Sequence, residues 1–138
     1  MSFNSEKNFL CIYFDILNNH LVKKIYYLST CDTCKRILNE LNPSSDFILQ
    51  DIKTEAISNE QIEAMKSLSG SYESLFSKRA RLYKERDLKN KELSENDYKN
   101  LILEHYTFLK RPVILYNDQL FIGNSKKVVE AANTAING

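Results

Sequence analysis

The chain has 138 residues with only three Gly and two Pro, which fits one folded domain plus an added segment and excludes a linker or a disordered protein. Nineteen Lys and Arg stand against eighteen Asp and Glu, so the formal charge is +1 and composition gives no support to a nucleic-acid binder. Three cysteines make an odd count and a poor disulfide framework, which points to the reducing cytoplasm, where a C-x-x-C is usually catalytic or metal-binding.

Residues 1–21 read as an N-terminal extension, and residues 22–138 as the domain proper. Met1 to Asn8 is polar and expected to fray, while Phe9 to Leu17 is apolar enough to pack on something. Asp15 interrupts that apolar run, and neither a basic stretch nor a small-residue cleavage site frames it as a leader. No window approaches roughly eighteen consecutive apolar residues, so no membrane span is expected.

Lys24-Ile25-Tyr26-Tyr27-Leu28 is rich in strand formers and ends at Ser29-Thr30. Cys34, Ile37, Leu38 and Leu41 then recur at helical spacing until Asn42-Pro43-Ser44-Ser45. Phe47-Ile48-Leu49 is a second short strand. Ser58-Asn59-Glu60-Gln61 is a capping box, with Ile62, Met65 and Leu68 on one face and Gly70 as the stop. Leu75, Phe76 and Leu82 suggest a short helix followed by a basic loop. Ser94-Glu95-Asn96-Asp97 starts a helix with Tyr98, Leu101, Ile102 and His105 inward. Pro112 to Tyr116 and Gln119 to Ile122 are strands joined at Asn117-Asp118. A last helix buries Val128, Val129, Ala132 and Ile136. A helix joins the first two strands, so they are parallel with a right-handed crossover, and the last two form an antiparallel hairpin. The result is an α/β domain, a four-stranded mixed sheet with flanking helices and a helical insertion. This is the layout of the thioredoxin-like (glutaredoxin-like) fold.

The chemistry centres on Cys31-Asp32-Thr33-Cys34. Cys31 lies where a strand ends and a helix begins, and the helix's first amides carry partial positive charge that favours a thiolate. Lys35 and Arg36 add to this and Asp32 opposes it. Cys34, one turn on, faces the core and could resolve a mixed disulfide on Cys31. A structural zinc site needs about four ligands, and only Cys11, His20 and His105 remain to supply them. Inert packing would suit Cys34 but explains poorly a cysteine at the helix mouth. Arg111-Pro112 is the second feature. A Pro at a strand start cannot donate to the ladder, and an X-Pro bond can be cis. His105 reads as a partly buried helix residue. Lys78, Arg79, Arg81, Lys84 and Arg86 form a basic cluster, either a solvated surface or, if near Cys31, an attractor of glutathione, an acidic partner or an oxyanion.

From about Lys23 to Ile136 the sequence resembles the arsenate reductase-related (ArsC/Spx) branch of the thioredoxin superfamily. The resemblance rests on Tyr26 through Lys35, on Leu75-Phe76-Ser77-Lys78-Arg79, and on Leu109-Lys110-Arg111-Pro112-Val113, in that order. It implies that Cys31 is the reactive cysteine and that Cys34 matches the second cysteine of Spx-like redox switches. Arg111 would hold an oxyanion or the cysteine's charge, Arg79 would be a further anion-positioning arginine, and Pro112 would be a cis-Pro beside Cys31. Two groups expected in arsenate reductases are replaced: Tyr27 stands where a His would be and Asn124 where an arginine would be. The expectation is a cytoplasmic thiol–disulfide oxidoreductase with Cys31 as nucleophile and Cys34 as resolving thiol. It would bind no cofactor and would draw electrons from glutathione, a glutaredoxin or a thioredoxin. Glutathione-dependent arsenate reduction is one alternative. A non-enzymatic redox switch that binds RNA polymerase is the other, with no direct contact to nucleic acid and none to a membrane.

Overall fold

A computed structural model describes residues 22–138, and the expectations for residues 1–21 and Cys11 lie outside the described residues. The elements are β1 (Lys23–Tyr27), α1 (Asp32–Leu41), β2 (Ile48–Asp51), α2 (Asn59–Ser69), α3 (Arg81–Glu85), α4 (Glu95–Glu104), β3 (Val113–Tyr116), β4 (Gln119–Ile122) and α5 (Lys126–Asn137). Short 3-10 turns cover Glu73–Leu75, Leu88–Asn90 and Tyr106–Phe108. Among the described residues no helix is long and apolar enough to cross a membrane.

The strands order as β2-β1-β3-β4. β1 and β2 are parallel, with Ile25 opposite Leu49, while β1–β3 and β3–β4 are antiparallel. Alternation along the strands divides the core in two. Ile25 and its cross-strand partner Ile114 face Ile37 and Leu41 of α1, Phe47, and Ala132 of α5. Tyr26 and its partner Val113 face the opposite side, where Ile62, Met65, Tyr98, Ile102 and Phe108 bury a larger core. Each strand residue thus changes layer from its neighbour, as a period of two requires. The last turn of α5 is tied to α1 by the Asn137 amide, which donates to the Leu41 carbonyl at 2.8 Å.

Three local expectations need correction. His105 does not lie on its helix. The backbone turns extended there (φ −149°, ψ 134°), and its Nδ1 accepts the Thr107 amide at 3.1 Å, capping the next turn. The stretch expected to run short helix, then basic loop, instead runs 3-10 turn, loop, then α3 at Arg81–Glu85. Arg81 and Glu85 pair across one turn of that helix at 3.3 Å, a local contact that favours the helical form of the basic stretch. Finally, Val128, Val129 and Ile136 are only half-buried, so Ala132 alone of α5 is fully covered.

The insertion between β2 and β3 is fastened to the segment before β3. The Ser77 amide donates to the Phe108 carbonyl at 2.7 Å, and the Lys110 amide donates to Leu75 at 2.8 Å. Phe76 and Leu109 form an isolated antiparallel bridge at the same place. Phe76 is 1% exposed and stacks on Phe108 with ring centroids 5.3 Å apart. This junction sets the insertion beside the loop that carries Arg111.

Candidate active site

Cys31 is the N-cap of α1, with φ −96° and ψ 113°. Its amide donates to Leu28 at 3.0 Å, closing a turn off the end of β1, and its carbonyl accepts the Lys35 amide at 3.1 Å as the first helical bond. No side chain caps the helix, so the first-turn amides stay available to the sulfur that replaces a capping oxygen. Cys31 is half-buried, and Cys34, three residues on, is 0% exposed; both are free thiols.

The two thiols are electrostatically unequal. Partial burial pushes the Cys31 thiol up. Hydrogen bonds from the Cys34 amide and thiol, the Arg111 charge and the Thr33 amide outweigh that, so it lies below the ordinary thiol value. Burial pushes Cys34 up to about 11; the negative charge on Cys31 adds to the rise, and a hydrogen bond from the Leu28 backbone only partly offsets it. Cys31 is therefore the more acidic thiol of the pair, and Cys34 holds its proton more tightly.

The remaining sequence-predicted residues separate by position. Arg111 is half-buried. Its Nη1 donates to the carbonyls of Thr107 and Leu109 at 3.3 and 3.2 Å, which fixes the guanidinium close enough to act on Cys31. Its Nε is buried and, among the described residues, has no partner. The Arg111–Pro112 peptide is cis. Pro112 is buried beneath the surface, and its carbonyl accepts the Gly123 amide at 2.9 Å. Cys31, Arg79 and Arg111 share the wall of one open groove of about 1330 Å³ with residues of the insertion and of the loop before α5; Cys34 and Pro112 are not in its lining.

Two contributors were not legible as site residues. Lys110, exposed, lines the groove beside Arg111. Asp51, at the end of β2 and in register with Tyr27, accepts the Ser29 amide at 3.3 Å and the Lys53 amide at 3.2 Å through Oδ1. It thereby holds the loop that leads to Cys31. The Asp51-x-Lys53 spacing of an Asx turn was the available signal for it. The basic cluster splits. Lys78, Arg79 and Arg81 face the groove, whereas Arg86 is engaged elsewhere, with Glu104 at 2.7 Å and over the Phe108 ring. Asn124 lines the groove, while Tyr27 is half-buried and packs against both cores. Among the described residues no group of three or more His, Cys, Asp or Glu converges on a metal position.

The ArsC family model matches residues 26–132. The "Global transcriptional regulator Spx 2" of Bacillus cereus is 25% identical over 108 residues, covering 76% of this chain and 82% of the relative. An ArsC family related protein from Bacteroides fragilis superposes with a TM-score of 0.67 at 22% identity, over 81% of this chain and 99% of the other. An arsenate reductase from Vibrio cholerae superposes at 0.62 and 21% identity, over 83% and 98%. These two likenesses establish the fold.

Proposed function

Since this chain belongs to the ArsC family, we propose that it is a cytoplasmic thiol–disulfide oxidoreductase in which Cys31 attacks and Cys34 resolves. The observation that carries this reading is the pair itself: a low-pKa cysteine at a helix mouth, beside an arginine, over a buried thiol.

The chemistry follows from that asymmetry. The Cys31 thiolate attacks one sulfur of a substrate disulfide, forming a mixed disulfide and releasing the other half as a thiolate. Consuming the Cys31 charge removes one cause of the raised Cys34 pKa, so the second thiol becomes easier to deprotonate at the step that needs it. Cys34 then attacks the Cys31 sulfur and expels the second thiolate. The protein is left with a Cys31–Cys34 disulfide and the substrate with two electrons more. Two glutathiones, or the dithiol of a glutaredoxin or thioredoxin, return the protein to the reduced state.

Arsenate is the weaker reading. An arsenate dianion needs several fixed cationic donors to replace its water. Tyr27 and Asn124 stand where two of the family's groups would be, although Arg79 and Arg81 line the same groove as Arg111. The relative named as a global transcriptional regulator favours a third reading, a non-enzymatic regulator; the family resemblance would make it a redox switch that binds RNA polymerase.

The deciding experiment assays the purified protein with mixed disulfides and with arsenate, supplied with glutathione and glutaredoxin or with thioredoxin. Disulfide turnover lost in Cys31→Ser, with a trapped mixed disulfide in Cys34→Ser, is the expected result. Turnover retained in Cys31→Ser overturns the assignment. Arsenite production on the order of 1 per second or faster favours the arsenate reading. Absence of any turnover together with redox-dependent capture of RNA polymerase favours the switch.

A further inference from the structure

The groove around Cys31 is wide and its charged lining is almost entirely basic, more than a small thiol calls for. Drug-sized ligands occupy roughly 300–1,000 Å³, and this groove, at about 1330 Å³, exceeds that range. Its charged lining consists of Lys78, Arg79, Arg81, Lys110 and Arg111 against a single acid, Glu73. Glu73 is matched by Lys78 at 2.9 Å, and Arg81 pairs with Glu85 at 3.3 Å. Arg79 and Lys110 take part in none of the ion pairs among the described residues, and both are exposed. The wall from Ile122 to Val128 adds no acid.

The positive charges come from two separate stretches of chain. Arg79 comes from the insertion, whereas Lys110 and Arg111 come from the segment before β3. The Ser77–Phe108 and Lys110–Leu75 backbone bonds clamp the two segments together. Such a frame presents five cations on the walls of one groove. A monoanionic tripeptide offers little negative charge to that set; a chain with several carboxylates matches it better.

We propose that the groove takes an acidic polypeptide segment carrying the cysteine whose disulfide Cys31 attacks, with Arg79 and Lys110 reading its carboxylates. The proposal rests on the reading of Cys31 as nucleophile. The bonds and electrons are those of the first exchange: the Cys31 thiolate joins the polypeptide's sulfur and the other half of the disulfide departs as a thiolate.

The test is single-turnover kinetics, which need no electron donor. Three peptides of equal length each carry one cysteine as a mixed disulfide with 2-mercaptoethanol, flanked by Glu and Asp, by Ser and Gly, or by Lys and Arg. The acidic peptide is expected to react about tenfold faster than the neutral one at low salt, the basic one slower. The difference should collapse in about 1 M salt, where the screening length is roughly 3 Å. Arg79→Glu with Lys110→Glu should invert the order. Equal rates for the three peptides at low salt overturn the proposal, as does a basic preference. Glutathione disulfide reacting as fast as the acidic peptide also overturns it, since a small ligand would then suffice. If no peptide and no glutathione disulfide reacts, the nucleophile assignment itself fails and the proposal falls with it.

Discussion

Two cysteines three residues apart differ here because one sits at a helix mouth and the other inside the first turn. Cys31 faces amides, a thiol donor and the Arg111 charge; Cys34 faces the core. Alkylation followed against pH should therefore modify Cys31 first at neutral pH, with Cys34 protected until the protein unfolds. Because the Cys31 pKa is lowered, its reactivity is present above that lowered value and is lost as pH falls through it. Arg111→Ala removes one lowering cause and should move the alkylation midpoint upward. An unchanged midpoint would mean the guanidinium does not act on the thiolate. Asp51 works on the same loop through hydrogen bonds to the Ser29 and Lys53 amides. Asp51→Asn keeps an acceptor oxygen and should largely preserve the Cys31 midpoint, whereas Asp51→Ala should alter it and lower the melting midpoint. Equal behaviour of the two variants would show that the bonds are not what matters.

At the scale of elements, α2 is fixed at its start by a reciprocal pair. The Ser58 hydroxyl accepts the Gln61 amide and the Gln61 side chain accepts the Ser58 amide, both at 3.1 Å. The same Gln61 clasps Gln50, 1% exposed on β2, with side-chain bonds of 2.7 and 3.1 Å. One glutamine thus serves a helix cap and a buried strand amide. Ser58→Ala should cost about 1 kcal/mol in chemical denaturation. Gln61→Leu removes both functions and leaves Gln50 with the Glu55 carbonyl alone, so a loss of about 1–3 kcal/mol is expected. A Gln61→Leu loss no larger than that of Ser58→Ala would show that the Gln50 contact contributes nothing. Phe76 plays a comparable part for the insertion, meeting Phe108, Tyr98 and Tyr83. Phe76→Ala should cost about 3–5 kcal/mol and loosen the wall that carries Lys78 and Arg79, read as a lost charge preference among the three peptides.

At the scale of the whole molecule, burial pushes two groups among the described residues furthest towards their neutral forms, Cys34, up from 9.0 to about 11, and Tyr26, up from 10.0 to about 12. Burial is the main cause in both. The unfolded chain releases these protons first, so their stabilising effect is whole below pH 9 and declines as pH rises towards 11 and 12. Denaturation midpoints should fall as pH rises from 9 to 11. Cys34→Ala should start lower because of its cavity but show a shallower decline. A slope identical to that of the wild type would mean Cys34 does not titrate between the two states.

The sequence by itself determined the order and type of the main strands and helices, because those depend on periodicity, capping residues and turn pairs within a few residues of one another. Ser58 with Gln61, the stop at Gly70, and Cys31 at the strand–helix junction are of this kind. His105 was misjudged for the same reason: helical spacing carried past the true end at Glu104, and the extended turn that follows depends on the Thr107 amide and on packing against Tyr106 and Phe108. Whether Arg79, Lys110 and Arg111 belong to one groove or to separate solvated surfaces lay beyond local pattern. They lie as much as 32 positions apart, and backbone bonds between the insertion and the segment before β3 bring them together. Only the folded chain could split the basic cluster, sending Arg86 to Glu104 and leaving Arg79 for the groove. A charge's role is set by what faces it across space, and sequence spacing does not encode that.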